Sequence, residues 1–514
     1  MNNTASGILT SAKRFITSPF RARVLEQQNT ILRTNIKRAY AAAAMNRLTA
    51  DWPTNNLSSD AEIRIDLKAL RARSRNLSIN TDHGRRFIWM VVSNVVGARG
   101  VGLSMRVKDA NDSLDTVANK LIVDAFTRWA KRGTCDVTGE LSWIDVQRLA
   151  MMNIPRDGEV IIRKVRGFDN PFAFALQLIE ADHLDDTLNQ SLPNGNEIRM
   201  GVERDPWGRP VAYHILTQHP GEYMYKANGN RYERIPATDI NHAYVKERIT
   251  QSRGVPWMHA SMPRMKNVSG YEDAEIIGAR ASASKMGIVQ SPKGNEFAGD
   301  DVDEKGNVIQ EVEPGTVTQL PKGWEWKEFD PTHPAGNFGP FMKATLRSIA
   351  SGLLVSYEGL TGDLEGVTYS SIRAGLLAER DIWRLFQKWF IDTVLTDIFE
   401  SWLKMALFTQ QIKLPFSKYE KFNSPIWRPR GWAWVDPLKD ITALEKGIAL
   451  GVDSRTNALL EEGESLEETF EELATEEKLA DEKKISIKPG TTQSIDQALL
   501  TDEPSGKSGK GGTQ

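Results

Sequence analysis

A chain of 514 residues exceeds the ~250–300 at which one hydrophobic core usually stops growing, so two or more lobes are expected. Hydrophobic residues make up 40% and charged residues 26%, ordinary values for a folded globular chain that exclude a disordered or fibrous one. Lys and Arg total 65 against 67 Asp and Glu, and a net charge of -2 argues against tight, sequence-independent gripping of nucleic acid, while leaving transient passage of DNA open.

In chain order, residues 1–25 carry Lys13, Arg14, Arg21 and Arg23 with no acid and read as a flexible basic arm without the apolar core of a secretory signal. Residues 27–50 have helix-forming composition and end near Pro53, which disfavours helical geometry in its predecessor. Helices follow at about 60–74, at 81–96 through Phe87, Ile88, Val91, Val92 and Val95, and at 115–131 through Leu121, Ala125 and Trp129. The period then changes: 159–165, 172–179, 198–202, 211–216 and 240–245 read as short strands separated by Gly, Pro, Asn and Asp clusters, which predicts an antiparallel lobe. Strands and helices do not alternate regularly, which disfavours a doubly wound nucleotide-binding sheet. A helix restarting at Pro263 runs to about 285, and its second half is built from small residues. Residues 294–326, rich in Gly, Asp, Glu and Pro, read as a protruding loop-and-strand appendage. Helical periodicity returns at 337–354, is interrupted at 358–369 by Gly359, Gly362 and Gly366, and resumes as one amphipathic helix over about 371–408. At ~1.5 Å per residue that helix exceeds roughly 50 Å, and its interleaved charges mean that it needs protein rather than lipid on its apolar side. An aromatic strand or turn near Trp427–Trp434, helices over about 438–451 and 454–479, and a polar glycine-rich tail complete the chain. No apolar run reaches the ~20 residues of a membrane span.

Chemistry has little visible footing. The lone Cys135 excludes an intrachain disulfide framework and reads as an inert buried thiol. Gly506-Lys507-Ser508 imitates a phosphate-binding loop, but Thr501 stands where its first glycine belongs. Gly97, Gly100 and Gly102 are wrongly spaced for a dinucleotide fingerprint. Glu180, Asp182, His183, Asp185 and Asp186 form the densest acidic and imidazole cluster, open to reading as a Mg²⁺ site of a metal-dependent nuclease or as a solvated turn. The seven histidines never take zinc-protease spacing and no serine lies in a nucleophile elbow, so neither catalytic residues nor cofactors are assigned.

Specific runs nevertheless point elsewhere. Ser348-Ile349-Ala350-Ser351-Gly352-Leu353-Leu354-Val355-Ser356-Tyr357-Glu358-Gly359-Leu360-Thr361-Gly362-Asp363, then Tyr369-Ser370-Ser371-Ile372-Arg373-Ala374 and the helix around Trp383–Phe390, resemble the lambda-type portal (head-tail connector) family of tailed bacteriophages. Matches continue in Asp157-Gly158-Glu159, Leu178-Ile179-Glu180-Ala181-Asp182, Arg253-Gly254-Val255-Pro256-Trp257 and Tyr271-Glu272-Asp273-Ala274-Glu275, and it is their common order that is specific.

The resemblance implies an α+β portal fold, with a mainly helical stem, long wing helix and crown plus an antiparallel β wing lobe. It divides the chain into a basic arm (1–26), wing (27–255), stem helix (256–287), clip (288–332), second stem helix (333–359), tunnel loop (360–370), long wing helix and return (371–437), crown (438–484) and disordered tail (485–514). The function it implies is a homo-oligomeric ring, typically of twelve subunits, at one capsid vertex of a virion assembled in the bacterial cytoplasm. Double-stranded DNA is packaged and ejected through that ring. The expected partners are the terminase large subunit, the major capsid or scaffold protein and a head-tail adaptor, with no membrane. The residues assigned to the DNA channel are Leu360, Asp363, Leu364, Glu365, Val367, Thr368 and Tyr369. A capsid or adaptor subunit of a phage particle is the other structural reading.

Overall fold

A computed structural model describes residues 56–223, 232–283, 338–432, 437–461 and 466–483, with isolated positions before 56 and short strands at 287–290, 301–302, 308–309 and 325–328. The expected basic arm, all but a few positions of the helix at 27–50, most of the clip and the C-terminal tail lie outside the described residues. The chain divides after Ser58, and everything below concerns the unit 59–514.

Two helices open this unit, α1 (Ser59–Asn80) and α2 (Asp82–Val95), hinged at Thr81, whose hydroxyl caps α2 by accepting from the Gly84 N–H. The face of α2 carrying Phe87, Ile88, Val91, Val92 and Val95 is buried, as the sequence period requires. Strand β1 (Gly102–Met105) and helix α3 (Thr116–Trp129) follow, then α4 (Trp143–Asp157). Sequence periodicity did not single out α4. Its start is fixed by a reciprocal capping box between Ser142 and Asp145, and its end by Gly158 at φ 91°.

The β lobe is antiparallel, as expected. Strands β2 (Glu159–Arg166), β3 (Phe174–Ile179) and β9 (Ile240–Tyr244) form a three-stranded sheet with β2 in the middle. Strands β4 (Gln190–Ser191), β5 (Glu197–Arg199), β6 (Val202–Arg204), β7 (Pro210–Leu216) and β8 (Tyr232–Pro236) form a five-stranded meander. The single strand expected at 198–202 is two, because Met200 and Gly201 both take positive φ and reverse the chain between β5 and β6. Ile161, Ile179, Leu184, Val202, Tyr213, Ile215, Ile235 and Ile240 make a small core of their own between these sheets.

Helix α5 (Met262–Ala283) carries Pro263 in its first turn, where the missing N–H costs nothing. Beyond it, β10 (Gly287–Gln290) pairs with β13 (Glu325–Glu328) and β11 (Asp301–Val302) with β12 (Val308–Ile309). Helix α6 (Phe338–Gly352) ends at a break where Leu354 takes φ 58°, and α7 (Tyr357–Thr361) restarts under a Ser356 cap. Helix α8 (Tyr369–Phe390) runs through a π-helical turn (Ile391–Leu395) into α9 (Thr396–Phe408). The long helix is therefore not uniform. Widening at the π turn loosens its carbonyls, and Asn241 Nδ2 donates to Thr393 O at 2.6 Å while Thr396 Oγ1 donates to Ile391 O at 2.9 Å. A short α10 (Tyr419–Phe422) precedes β14 (Pro425–Arg428), which pairs with β1. Then come α11 (Pro437–Ala449), α12 (Arg455–Glu461) and α13 (Leu466–Lys483).

The support that the long helix requires is the main core. Trp402 and Phe399 of α9 meet Phe126 and Trp129 of α3, with the Phe126 and Trp402 rings 4.9 Å apart and edge to face. Among the described residues no helix is long and apolar enough to cross a membrane.

Candidate functional site

Two places gather the residues singled out by sequence. The first is the connection between α6 and α8. Only residues 362–368 of the expected loop 360–370 are non-helical, since Leu360 lies in α7 and Tyr369 opens α8. Leu360 is 2% exposed and belongs to the main core, so it anchors the loop and its side chain does not line a surface of the subunit. Leu364 is 63% exposed at the loop tip, Glu365 and Thr368 are exposed, and Asp363 and Val367 are half-buried.

Local chemistry explains this path. Gly362 and Gly366 take φ 76° and 70°, a region that side chains disfavour, and so turn the chain on either side of the tip. Thr368 then caps α8 in a reciprocal box with Ser371. Asp363 is tied three ways: Oδ1 accepts from the Glu365 N–H at 2.9 Å, and Oδ2 accepts from the Tyr357 hydroxyl at 2.8 Å and pairs with Lys343 Nζ at 3.1 Å. Those contacts, the Glu365 N–H foremost, hold its carboxyl down at about 2.

The base of the loop is equally specific. Glu379 of α8 is buried and accepts from the Ser356 N–H, the Ser356 hydroxyl and Trp383 Nε1. A Cβ on Gly359 would lie 2.7 Å from Ser356 Oγ and 3.0 Å from Met90 Cε, so glycine is what lets α7 close against α2. Sequence reading placed Tyr357 in a family signature without a role, and missed Lys343 and Glu379. Each lies 20 or so positions from its partner, and the break after α6 together with the 362–368 loop brings them together.

The second place is buried. Asp157-Gly158-Glu159, the end of the run through Glu180-Ala181-Asp182 and Arg253-Gly254, read separately in the sequence, converge with Arg71 and His242 on one carboxylate. Glu159 is fully buried and accepts from Arg253 Nε at 2.9 Å, the Gly254 N–H at 2.8 Å, His242 Nε2 at 2.9 Å and Arg71 Nη2 at 2.5 Å. The two guanidiniums also serve backbone carbonyls: Arg253 those of Leu184, Met200 and Ala181, and Arg71 that of Asp157. Burial alone would raise the Glu159 carboxyl, but Arg253, Arg71 and His242 hold it well below the usual carboxylate range. Burial also lowers the His242 pKa, against the opposing pull of Glu159. Glu159, Arg71 and Arg253 are all buried, and their geometry is that of a structural joint between α1, β2, β9 and the β3–β4 turn.

One member of the acidic cluster, Asp182, is drawn into that joint. Glu180, Asp182 and His219 bring ligand atoms within 4.8 Å of one another, yet Asp182 is already paired with Arg75 and Arg71. His183 Nδ1 faces Leu216 O at 2.7 Å, and Asp185 accepts from Thr187 and from the Tyr232 hydroxyl. A hard cation at this cluster would have to compete with two guanidiniums for Asp182. Cys135 is buried and its thiol is pushed up to about 12, chiefly by burial.

A glycine-hinged loop thus joins α6 and α7 to the long helix α8–α9, whose C-terminal half packs into the main core. Residues 45–387 match the family model described as "Phage portal protein, lambda family", and the chain belongs to that family. It is 36% identical over 447 residues to the "Probable portal protein" of Halomonas phage phiHAP-1, covering 85% of this chain and 86% of that one. It is 19% identical over 459 residues to the "Portal protein" of Escherichia phage N15, covering 82% and 86%. Among solved structures it is similar to a chain of the neck of an empty gene transfer agent particle, at TM-score 0.41 and 15% identity, covering 78% of this chain and 93% of that one. A chain from the virion of the native gene transfer agent particle follows at TM-score 0.40 and 14% identity, covering 78% and 93%.

Proposed function

We propose that the chain is the ring-forming portal subunit at one vertex of a phage capsid. In this reading it is a structural conduit, assembled from about twelve copies in the bacterial cytoplasm and built into the virion, through which terminase drives DNA inward and a head-tail adaptor later receives it. Residues 362–368 face the channel, with Leu364 as the apolar contact and Asp363 and Glu365 giving an acidic lining on which phosphates slide. Leu360 and Thr368 fix the two ends of the loop. A ring built from one heterologous contact uses two different faces of each subunit, which suits a chain whose helices leave Ile65, Ile276, Ile277, Phe341 and Leu385 exposed.

The observation that carries this reading is Leu364, 63% exposed at the tip of a short loop whose base is locked by Leu360, Gly359 and Glu379. An apolar side chain held out on a rigid base is suited to touch something that passes. Replacing residues 363–367 by a short glycine linker tests it. Rings counted by negative-stain microscopy should remain intact while packaged DNA per particle falls several-fold. Normal packaging by intact rings would end the proposal for this loop, and a protein that never forms rings, even at high concentration, would end the portal reading itself.

A further inference from the structure

A groove of about 530 Å³ runs between α2 and α8, away from the loop, and its character is basic and aromatic. Arg86, Arg380 and Arg430 line it together with Trp89 and Trp432. Arg86 and Arg430 donate to the carbonyls of Gly359 and Ser93, which orient the guanidiniums without neutralising them. The Arg380 guanidinium lies 5.9 Å from the centroid of the Trp432 ring. Glu379, the acid among the lining residues, is buried and already serves Ser356 and Trp383. Trp89 is 50% exposed, a large aromatic surface left open beside this positive charge.

Helix α13 has the opposite character, since its acids outnumber Lys478 and Lys483 several-fold. Phe470, Leu473, Glu477 and Asp481 lie at i, i+3, i+7 and i+11, which puts them on one side of the helix, and all four are exposed. At ~1.5 Å per residue this face runs roughly 16 Å, against roughly 12 Å for the wall of the groove from Arg86 to Asn94, so the two match in scale. Both surfaces are exposed in the same subunit, and neither covers the other.

We propose that this face of α13 docks in the α2–α8 groove of a neighbouring copy, with Phe470 and Leu473 against Trp89, and Glu477 and Asp481 among the three arginines. Burial of the apolar side chains supplies the attraction, and the arginine–carboxylate pairs fix orientation and exclude a shifted register. The contact joins two different surfaces, so each added copy presents the same pair again, as a closing ring requires. A nucleic acid would meet the same arginines but would leave the apolar side of α13 uncovered. The inference rests on the ring reading for its second copy and adds which faces meet.

Cysteine crosslinking of the full-length protein tests the contact. Trp89→Cys and Phe470→Cys in one chain should give, on mild oxidation, a ladder of covalent oligomers, and neither substitution alone should do so, because Cys135 is 0% exposed. Charge reversal gives a second readout. Arg86→Glu with Arg380→Glu, or Glu477→Arg with Asp481→Arg, should weaken association in sedimentation by more than about fivefold, the limit set by one exposed pair, and combining the two sets should restore most of it. Rings that persist without a ladder and ignore both reversals overturn the proposal while leaving the ring reading intact. A parent protein that never assembles removes both. Arginine variants that associate normally but lose retention of a short duplex DNA would make the groove a nucleic-acid face and likewise overturn the contact.

Discussion

Glu159→Gln tests the buried joint most sharply. The substitution keeps the shape of the side chain and removes its charge, leaving Arg71 and Arg253, 4% and 0% exposed, without their central counter-charge. The amide also turns one acceptor oxygen into a donor that faces other donors, since every group reaching Glu159 brings an N–H to it. Breaking a buried pair by removing one partner costs about 3–5 kcal/mol, against about 0–1 kcal/mol for an exposed pair. Replacing the guanidiniums as well would not restore that loss, because they also satisfy the carbonyls of Asp157, Ala181, Leu184 and Met200, each worth about 1–3 kcal/mol when orphaned. Hydrogen exchange of the β2 and β9 amides is the assay, since it reads the opening free energy locally within a large chain. The expected acceleration is roughly 10²- to 10⁴-fold at those strands. An acceleration below about fivefold, the effect of an exposed pair, would refute the claim that this carboxylate joins the helical and β parts.

Acid should loosen the same joint in two stages. Because the folded-state pKa of His242 is lowered, its contribution is full above the unfolded value of ~6.5 and is lost as pH falls from there toward the folded value. Glu159, also depressed, adds a second loss below its unfolded value of ~4.3 as pH approaches the folded one. Exchange at β9 should therefore quicken, beyond its intrinsic pH dependence, as pH falls below about 6.5, and His242→Gln should abolish that first stage alone; an unchanged profile in the variant would remove His242 from the account. Gly254→Ala should yield mainly insoluble protein, since its Cβ would sit 2.1 Å from Gly158 O and 2.7 Å from Tyr244 Cβ; a soluble variant with native circular dichroism contradicts that. Trp402→Ala, emptying the centre of the aromatic core, should cost about 3–5 kcal/mol in denaturant unfolding, and a loss under about 1 kcal/mol would mean that the core collapses to fill the space.

Much of this molecule could be read before any coordinate was known. The 3.6-residue period placed α2 and α3, because one face of each meets the core, and short apolar runs bounded by turn residues placed β2 and β7, which are buried on both faces over part of their length. The glycines at 362 and 366 marked the loop, since positive φ leaves a trace in residue type. Family resemblance lay in ordered short runs and survived as membership of the lambda portal family. What the chain alone did not disclose was α4, whose apolar positions are mixed with polar ones that face other buried groups, and the division of the long helix at a π turn supported by Asn241. Nor did it disclose that Asp157-Gly158-Glu159 and Arg253-Gly254 are halves of one joint closed by Arg71, or that Asp363 is held by Lys343. Local sequence dictates periodicity, caps and turns because these involve near neighbours. Ion pairs between residues 20, 94 or 88 positions apart are decided only when tertiary packing brings them within hydrogen-bonding reach and removes the water that would otherwise screen them.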